Sequence, residues 1–200
     1  MAKHFGKYRG TVVDNDDSPV RRGKIKVKVE ELLDDKEVWA MPCVPFAGNK
    51  LGWYFLPPPM TSVWVEFEGG NLNRPIWSGC YWEAGELPDE ATAPTTMLLK
   101  TANVTLTIDD TENGGLTLSV LKDDKLITIA ASGTGLTCTV GKAAAPQVAL
   151  AASTVTLKVG NDGGSLSLDA SSASLAQGSS KVVVKDGAVA LNDNGLRVGQ

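Results

Sequence analysis

Residues 62–82, SVWVEFEGGNLNRPIWSGCYW, carry the pattern that decides the fold of the first part of the chain. Val63, Val65 and Phe67 alternate with Trp64 and two glutamates, which predicts a β-strand with one face on a core and the other in water. Gly69-Gly70-Asn71 follows directly, and glycines accept the positive φ that a tight reversal requires. The stretch therefore predicts a strand, a turn and a returning strand.

The same short-strand pattern extends outward through residues 1–82. Lys24 to Val29 alternate strictly between lysine and an aliphatic residue, and no window keeps a helical period. Many short strands around a few large side chains favour a small closed barrel, because closure removes exposed sheet edges. The six predicted strands lie near Gly6–Asp14, Lys24–Glu30, Glu37–Val44, Trp53–Leu56, Ser62–Glu68 and Ile76–Tyr81.

The order of motifs across this region resembles the OB-fold domain of phage baseplate central spike proteins and of the VgrG proteins of type VI secretion. The resemblance covers nearly the whole N-terminal half, and it implies a structural domain in an assembly with no catalytic group. The matching elements are Gly10-x-Val12-x-Asp14, Gly23-Lys24-Ile25-Lys26-Val27, Trp39-Ala40, Gly52-x-x-Phe55-x-Pro57, Val63-x-Val65-x-Phe67-x-Gly69-Gly70, Arg74-Pro75 and Gly79.

Composition divides the chain into two parts. All twelve aromatic residues precede position 83, and every proline except Pro146 lies at or before Pro94. We therefore expect an OB-fold domain over residues 1–82, an acidic connector over 83–95 and a β-helical spike over 96–200. The connector, EAGELPDEATAPT, is too short for an inserted enzyme domain of the kind that some spikes carry.

The second part repeats short strands in which aliphatic residues alternate with Thr, Ser, Lys or Asp. Turn sequences such as NGG, SGTG and KDG separate the strands. The predicted inward sets are Val104/Leu106/Ile108, Leu116/Leu118/Val120, Ile127/Ile129, Leu136/Cys138/Val140, Val148/Leu150, Val155/Leu157/Val159, Leu166/Leu168, Val182/Val184, Val189/Leu191 and Leu196/Val198.

About a hundred residues without an aromatic side chain would bury little apolar surface per chain. Ordering costs on the order of 1–2 kcal/mol per residue, against roughly 1.5–3 kcal/mol for each fully buried aliphatic side chain. We therefore expect an intertwined homotrimeric β-helix or β-prism in which strands pair with neighbouring chains. The residues assigned to its core are Val155, Leu157, Val159, Leu166, Leu168, Val182, Val184, Val189 and Leu191, with Leu196 and Val198 offered to a cap at the C-terminal end.

The resemblance implies the same shaft and supplies its partners. Family members sit on a baseplate hub protein, which we expect to be a separate chain here, and bind PAAR-type tip proteins or effectors at the far end. Some spikes end in a metal-binding His-x-His motif, but this sequence has no histidine after His4. The predicted role is a non-enzymatic, all-β trimeric spike that contacts a target membrane transiently as it pierces the envelope.

Two other functions stay open on the sequence. A single-stranded nucleic-acid-binding module would use Lys24, Lys26 and Lys28 with Arg21 and Arg22, since OB barrels often combine a basic face with aromatic residues. Residues 1–95 nevertheless carry 11 Lys and Arg against 14 Asp and Glu, so we interpret the patch as a solvated strand face and expect no nucleic acid. A passive trimeric fibre or adhesin is the second alternative.

No catalytic, cofactor or metal site is predicted. One histidine excludes the usual nucleophile–histidine arrangements, and Glu66 and Glu68 are a weak glycosidase pair on an exposed strand. Asp14-Asn15-Asp16-Asp17 lacks the glycine and distal glutamate of a calcium loop and is interpreted as a turn. Cys43, Cys80 and Cys138 are interpreted as small buried apolar residues of a reducing compartment. The start, MAKHFGKY, has no signal-peptide h-region, so we expect synthesis in a bacterial cytoplasm and incorporation into a phage tail or injection particle.

Overall fold

The computed structural model describes residues 3–123, 125–141, 146–160, 163–192 and 196–198. The chain divides into two compact units, Met1–Leu87 and Pro88–Gln200. Both are built almost entirely from β-strands, which confirms the predicted all-β class.

The first unit contains a closed five-stranded barrel in the order β1-β2-β3-β7-β6. All neighbouring pairs are antiparallel except β3 and β7, which run parallel and close the barrel. This is the topology of an OB fold, as predicted. The elements of the unit are β1 (Tyr8–Asp14), β2 (Ile25–Lys28), α1 (Glu30–Leu33), β3 (Glu37–Pro42), β4 (Ala47–Gly48), β5 (Leu51–Gly52), β6 (Ser62–Phe67), a single 3₁₀ turn (Glu68–Gly70) and β7 (Pro75–Cys80).

Alternation in the barrel strands places every second side chain in the core. In β6 the three predicted residues Val63, Val65 and Phe67 are buried, and their neighbours are partly exposed. Gly10 of β1 is needed for this packing, since a Cβ there would lie 3.0 Å from Val65 Cγ2 and 3.1 Å from the Lys28 carbonyl oxygen. The buried core consists of Val12, Ile25, Val27, Val29, Ala40, Val63, Val65, Phe67 and Trp77.

One of the six predicted barrel strands does not form. Residues 53–56 have no regular secondary structure, and only Leu51–Gly52 just before them pairs, as β5 with β4 in a separate two-stranded hairpin. Trp53, Tyr54 and Phe55 are consecutive bulky residues without alternation, and three prolines that cannot donate backbone hydrogen bonds follow them. The other five predictions correspond to barrel strands with ends shifted by one or two residues.

The second unit is a twelve-stranded antiparallel sheet whose strands pair strictly in chain order. Each strand is antiparallel to its neighbours in the sequence, so the sheet is a meander. Its strands are β8 (Thr96–Lys100), β9 (Val104–Asp109), β10 (Gly115–Lys122), β11 (Lys125–Ser132), β12 (Gly135–Val140), β13 (Gln147–Ala151), β14 (Thr154–Lys158), β15 (Ser165–Asp169), β16 (Ser172–Gln177), β17 (Ser180–Lys185), β18 (Ala188–Leu191) and β19 (Leu196–Val198).

The meander corrects one expectation about the shaft. We expected strands to find backbone partners on neighbouring chains, whereas each described strand pairs with its sequence neighbours in its own chain. Short turns explain this, because they place adjacent strands side by side before any second chain is needed. The pattern also overlooked β8 and β16, the latter because Ser172–Gln177 contains a single large aliphatic residue. An intertwined homotrimeric shaft therefore stays a prediction.

Candidate assembly surfaces

One face of the meander is a continuous ladder of aliphatic side chains, here called the aliphatic face. Cross-strand register brings the alternating apolar residues of β8 to β18 into two rows. The first row runs Met97, Ile108, Leu116, Ala131, Leu136, Leu150, Val155, Leu168, Ala173, Val184 and Val189. The second runs Leu99, Leu106, Leu118, Ile129, Cys138, Val148, Leu157, Leu166, Leu175, Val182 and Leu191.

The aliphatic face is not covered by any part of the described chain. Most of its large side chains lie between 36% exposed (Val189) and 58% exposed (Leu175), whereas the barrel core is 0–5% exposed. With roughly 100 Å² of apolar area per aliphatic side chain, the uncovered surface is on the order of 1,000 Å². Monomeric proteins seldom expose an apolar patch above roughly 600 Å². The aliphatic face therefore exceeds the apolar patch that a monomeric protein usually exposes.

The opposite face of the meander, here called the polar face, is made of short side chains. Thr107, Thr117, Ala130, Thr137 and Ala149 occupy successive register positions there. Most of its side chains are Thr, Ser or Ala, although Leu98 and Val183 lie in the same register. The two faces therefore differ in polarity as the alternating sequence predicted.

The predicted core residues lie together on the aliphatic face with one exception. Val155, Leu157, Leu166 and the other assigned residues up to Leu191 fall on its two rows. Val159 is 61% exposed and follows the last residue of β14. Leu196 and Val198, assigned to a cap contact, belong to β19, whose backbone pairs with β18; their side chains lie outside what the structure describes.

A second apolar surface lies on the barrel unit and was not predicted. Phe46, Leu51, Trp53, Tyr54 and Phe55 are each 52–74% exposed around the β4–β5 hairpin. Gly52, with φ of 146°, allows the hairpin to close, because a Cβ there would lie 2.8 Å from the Phe46 carbonyl oxygen. The Trp53 backbone N–H donates to that same oxygen over 3.0 Å.

The hairpin borders an open groove of about 460 Å³, here called the hairpin groove. Aromatic side chains and the cationic residues Arg21, Arg22 and Lys50 line this groove. None of its described lining residues is acidic. Within the described residues these three cations take part in no ion pair. The groove thus offers both apolar area and three cationic side chains outside ion pairs, of which Arg21 is close enough to Asp16 to help lower the pKa of that carboxyl.

Another open groove, of about 580 Å³, lies around Met60 and Trp82 on the same unit, here called the Met60 groove. Met60 is 81% exposed and Trp82 66% exposed. Glu86 is the one charged residue among its described lining residues. The Met60 groove is therefore apolar with a negative charge at its margin, the complement of the hairpin groove.

The lysines considered for a nucleic-acid face are largely neutralised. Lys28 Nζ lies 2.8 Å from Asp35 and 3.6 Å from Glu30, and the Asp35 carboxylate raises the pKa of this lysine. Lys26 Nζ lies 3.9 Å from Glu37 and 5.2 Å from the Trp39 ring centroid. For Lys26 and Lys28 these contacts agree with a solvated strand face, whereas Lys24, Arg21 and Arg22 form no ion pair among the described residues.

The carboxylates considered for catalysis are held in ion pairs. Glu66 contacts Lys7, and Ser78 Oγ donates to it over 3.0 Å; both hydrogen bonds lower the pKa of Glu66. Glu68 lies 3.4 Å from Arg74. A glycosidase acid needs a raised pKa, so the environment of Glu66 is the opposite of what that chemistry requires.

The acidic loop after β1 is a hydrogen-bonded turn. The Asp16 carboxylate accepts from the Ser18 N–H and hydroxyl, which lowers the pKa of Asp16, and Asp17 accepts from the Arg22 N–H. No group of three or more His, Cys, Asp or Glu suited to a metal ion occurs in the described part of the chain.

The prediction that all three cysteines are buried is wrong. Cys43 and Cys80 are exposed and Cys138 is partly exposed on the aliphatic face. Alternation could not show this, because Cys43 and Cys80 lie at the ends of barrel strands, where the core stops. Across the described residues, no helix has the length and apolar character needed to cross a bilayer.

The barrel topology defines a class, the OB-fold domains. Residues 8–82 match the family model described as the type VI secretion system/phage-baseplate injector OB domain. These residues are therefore a baseplate-injector OB domain of the VgrG-like kind, and the family supports a spike-type structural role in a phage-baseplate or type VI assembly. Comparison with curated proteins finds no match to the chain.

Sequence reasoning missed the hairpin groove although a signal was present. Trp53-Tyr54-Phe55 breaks the alternation that every barrel strand keeps, and three consecutive large apolar residues cannot all face one core. Such a run beside a proline-rich connection favours a segment outside the barrel strands, and these three side chains are exposed.

Proposed function

We propose that three copies of this chain form the central spike of a contractile phage tail or related injection machine, with no enzymatic activity. The observation that carries the proposal is the aliphatic face, which spans the meander and is covered by nothing in the described chain. The aliphatic faces of two further copies of the chain are the surfaces that best cover it.

The geometry favours three sheets over two or four. Typical strands here have five or six residues, or about 17–20 Å, so a triangle of three such sheets has its axis about 5 Å from each face. This is half the roughly 10 Å spacing of packed sheets, so Val and Leu side chains reach the axis. Four sheets would place the axis about 9 Å away and leave a void, while two would leave both sides open to water.

The resulting shaft suits a mechanical role. Eleven inter-strand spacings give a sheet about 50 Å long, with short polar side chains outside and aliphatic ones along the axis. Densely packed interiors resist compression, and the absence of aromatic residues after position 82 keeps the shaft thin.

The remaining parts of the proposal follow from the family of the OB domain. Three barrels form a collar on a separate hub protein, and sheath contraction drives the shaft through the target envelope with transient membrane contact. A PAAR-type tip protein or an effector binds at the β19 end. The protein is made in the bacterial cytoplasm and works as part of the assembled particle.

Sedimentation equilibrium of the full chain at micromolar concentration tests the trimer. Leu157→Asp places three carboxylates on the proposed axis, and an unpaired buried charge costs several kcal/mol, so this variant should not form trimers. Thr156→Asp, on the polar face of the same strand, is the matched control and should sediment as a trimer. A monomeric, well-ordered wild-type chain would rule out the spike.

Thiol labelling provides a second measurement on the native protein. Exposed Cys43 should react with a maleimide under native conditions, whereas Cys138 should react only after denaturation because sister chains cover it. Equal reactivity of Cys43 and Cys138 in the native protein would mean that the aliphatic face is open.

The biological role is tested by complementation of a particle whose copy of this gene is deleted. Wild type and Thr156→Asp should restore infective or lethal particles, and Leu157→Asp should not. Restoration by Leu157→Asp would contradict a trimeric shaft that transmits the force of contraction.

A further inference from the structure

We propose that the hairpin groove of one barrel receives the Met60 groove region of the next barrel, head to tail, so that three barrels close into a ring. This inference rests on the proposed trimer and names the surfaces that join its collar. The occupant of the hairpin groove is thus a second copy of this chain.

Charge complementarity is the first reason. The hairpin groove carries Arg21, Arg22 and Lys50 with no acidic lining residue among those described, whereas the Met60 groove carries Glu86 as its one charged lining residue. Near the latter, Arg9 is already engaged, since it lies 3.5 Å from Glu83 and 5.0 Å from the Tyr81 ring centroid. Contact between the two grooves therefore brings Arg22 and Lys50, together with Arg21 beside Asp16, toward the carboxylate of Glu86.

Apolar matching is the second reason. The β4–β5 hairpin presents aromatic side chains that are more than half exposed. In the Met60 groove, Met60 and Trp82 are also more than half exposed. Methionine adapts to aromatic surfaces and gains from sulfur–ring contact. Each groove thus offers an apolar surface that the other can cover.

Symmetry is the third reason. Two different surfaces on one subunit make a heterologous contact, which closes into a ring when the rotation between copies is about 120°. Barrels tethered to one trimeric shaft are at an effective concentration in the millimolar range, so a contact that is weak between separate molecules is enough to order them.

A disulfide experiment exploits Cys80, which already lines the Met60 groove. In a Cys43→Ser, Cys138→Ala background, Lys50→Cys or Tyr54→Cys places a second thiol at the hairpin groove. Mild oxidation above about pH 8 is appropriate, because partial desolvation raises the pKa of the Cys80 thiol. Head-to-tail contact predicts covalent trimers on a non-reducing gel, and Lys36→Cys, away from both grooves, is the control.

Charge reversal provides the second arm. Arg21→Glu with Arg22→Glu should lower the yield of covalent trimer at least about fivefold, and high salt should lower it similarly, while sedimentation still reports a trimer held by the shaft. Both positions are exposed, so neither substitution should prevent folding of the barrel.

The outcomes separate this inference from the proposed function. A covalent trimer above the Lys36→Cys control supports the ring; dimers alone would mean a self-paired surface and overturn it. No cross-link in a protein that sediments as a trimer also overturns it, and assigns the hairpin groove to a different protein. Sub-micromolar binding of a fluorescent oligothymidylate at physiological salt would assign the groove to single strands instead. A monomer on sedimentation overturns both proposals.

Discussion

Asp169 shows how single residues shape the turns of the meander. Its carboxylate accepts hydrogen bonds from the N–H and hydroxyl groups of Ser171 and Ser172, at 2.8 to 3.0 Å, and lies between β15 and β16. These bonds lower the pKa of Asp169 to about 2. Because the pKa is depressed by folding, the stabilisation is complete above the unfolded value of about 4 and is lost as the pH falls through about 2.

We therefore expect Asp169→Asn to lower the thermal midpoint of the meander at about pH 5 to 7, and the difference from wild type to shrink between about pH 4 and 2. An NMR titration of the carboxylate should give a midpoint near 2 in wild type and a higher one in Ser171→Ala/Ser172→Ala. A wild-type midpoint near about 4 would show that the turn hydrogen bonds are absent in solution.

Val65 illustrates a different kind of residue, one whose effect is confined to the barrel. It is fully buried, and its Cγ2 lies against the backbone at Gly10. Val65→Ala removes two methyl groups from a packed core and should lower the free energy of unfolding of the barrel by about 2 kcal/mol. Val20→Ala, at a 66% exposed position, is the control and should change it by less than about 0.5 kcal/mol.

Tryptophan fluorescence measures this change cleanly, because all five tryptophans precede position 83. A loss as small as that of Val20→Ala would mean that the barrel interior is not packed as described.

At the scale of elements, the turns of the meander depend on glycines at particular positions. A Cβ on Gly135, which opens β12 with φ of 151°, would overlap the Leu150 carbonyl oxygen of β13. Gly133, two residues earlier in the same turn, has space for a Cβ, with no described heavy atom within 4 Å of where it would lie. The two glycines therefore provide a matched pair.

We expect Gly135→Ala to destabilise the meander by about 1–3 kcal/mol per chain, since the strands must separate to admit the methyl group. Gly133→Ala should stay within about 0.5 kcal/mol of wild type. Guanidinium unfolding followed by far-UV circular dichroism gives both values, and equal effects at the two positions would contradict the described β12–β13 register.

Elements were predictable from sequence wherever alternation was strict. The alternation in Lys24–Val29 and in Val63–Glu68 predicted the barrel strands β2 and β6, and the aliphatic sets predicted ten of the twelve meander strands. Trp53–Leu56 was predicted wrongly, because β propensity alone does not say which strand could pair with it. A bulky run before three prolines has propensity for extended structure but no partner.

Strand pairing and surface grooves were harder to predict from the sequence than the strands themselves. Alternation shows that Leu157 and Val155 share a face, but it does not show that β14 pairs with β13 and β15 of its own chain. Likewise Arg21 and Arg22 are far from Trp53 in sequence and line one groove with it only once the barrel brings the loops together. The hairpin groove is a product of tertiary structure, and composition offered only the unalternating aromatic run as a hint.

At the scale of the whole molecule, unfolding of the meander should depend on chain concentration, whereas unfolding of the barrel should not. The barrel has its own closed core, whereas the proposed interior of the meander exists only when three chains meet. Unfolding of a trimer into three chains depends on the square of the chain concentration, so tenfold dilution removes about 2.7 kcal/mol per trimer at 25 °C. With roughly 2.1 cal/mol/K of unfolding entropy per residue, this lowers the meander midpoint by about 4 °C.

Two optical probes separate these transitions in one sample. Tryptophan fluorescence reports only the barrel, and far-UV circular dichroism at high temperature is dominated by the aromatic-free meander. We expect the fluorescence midpoint to stay constant on dilution, since the core of each barrel lies within one chain, while the dichroism midpoint falls by about 4 °C. If both midpoints were independent of concentration and the chain sedimented as a monomer, the meander would be stable with its aliphatic face in water, and a three-chain shaft would have no physical reason to form.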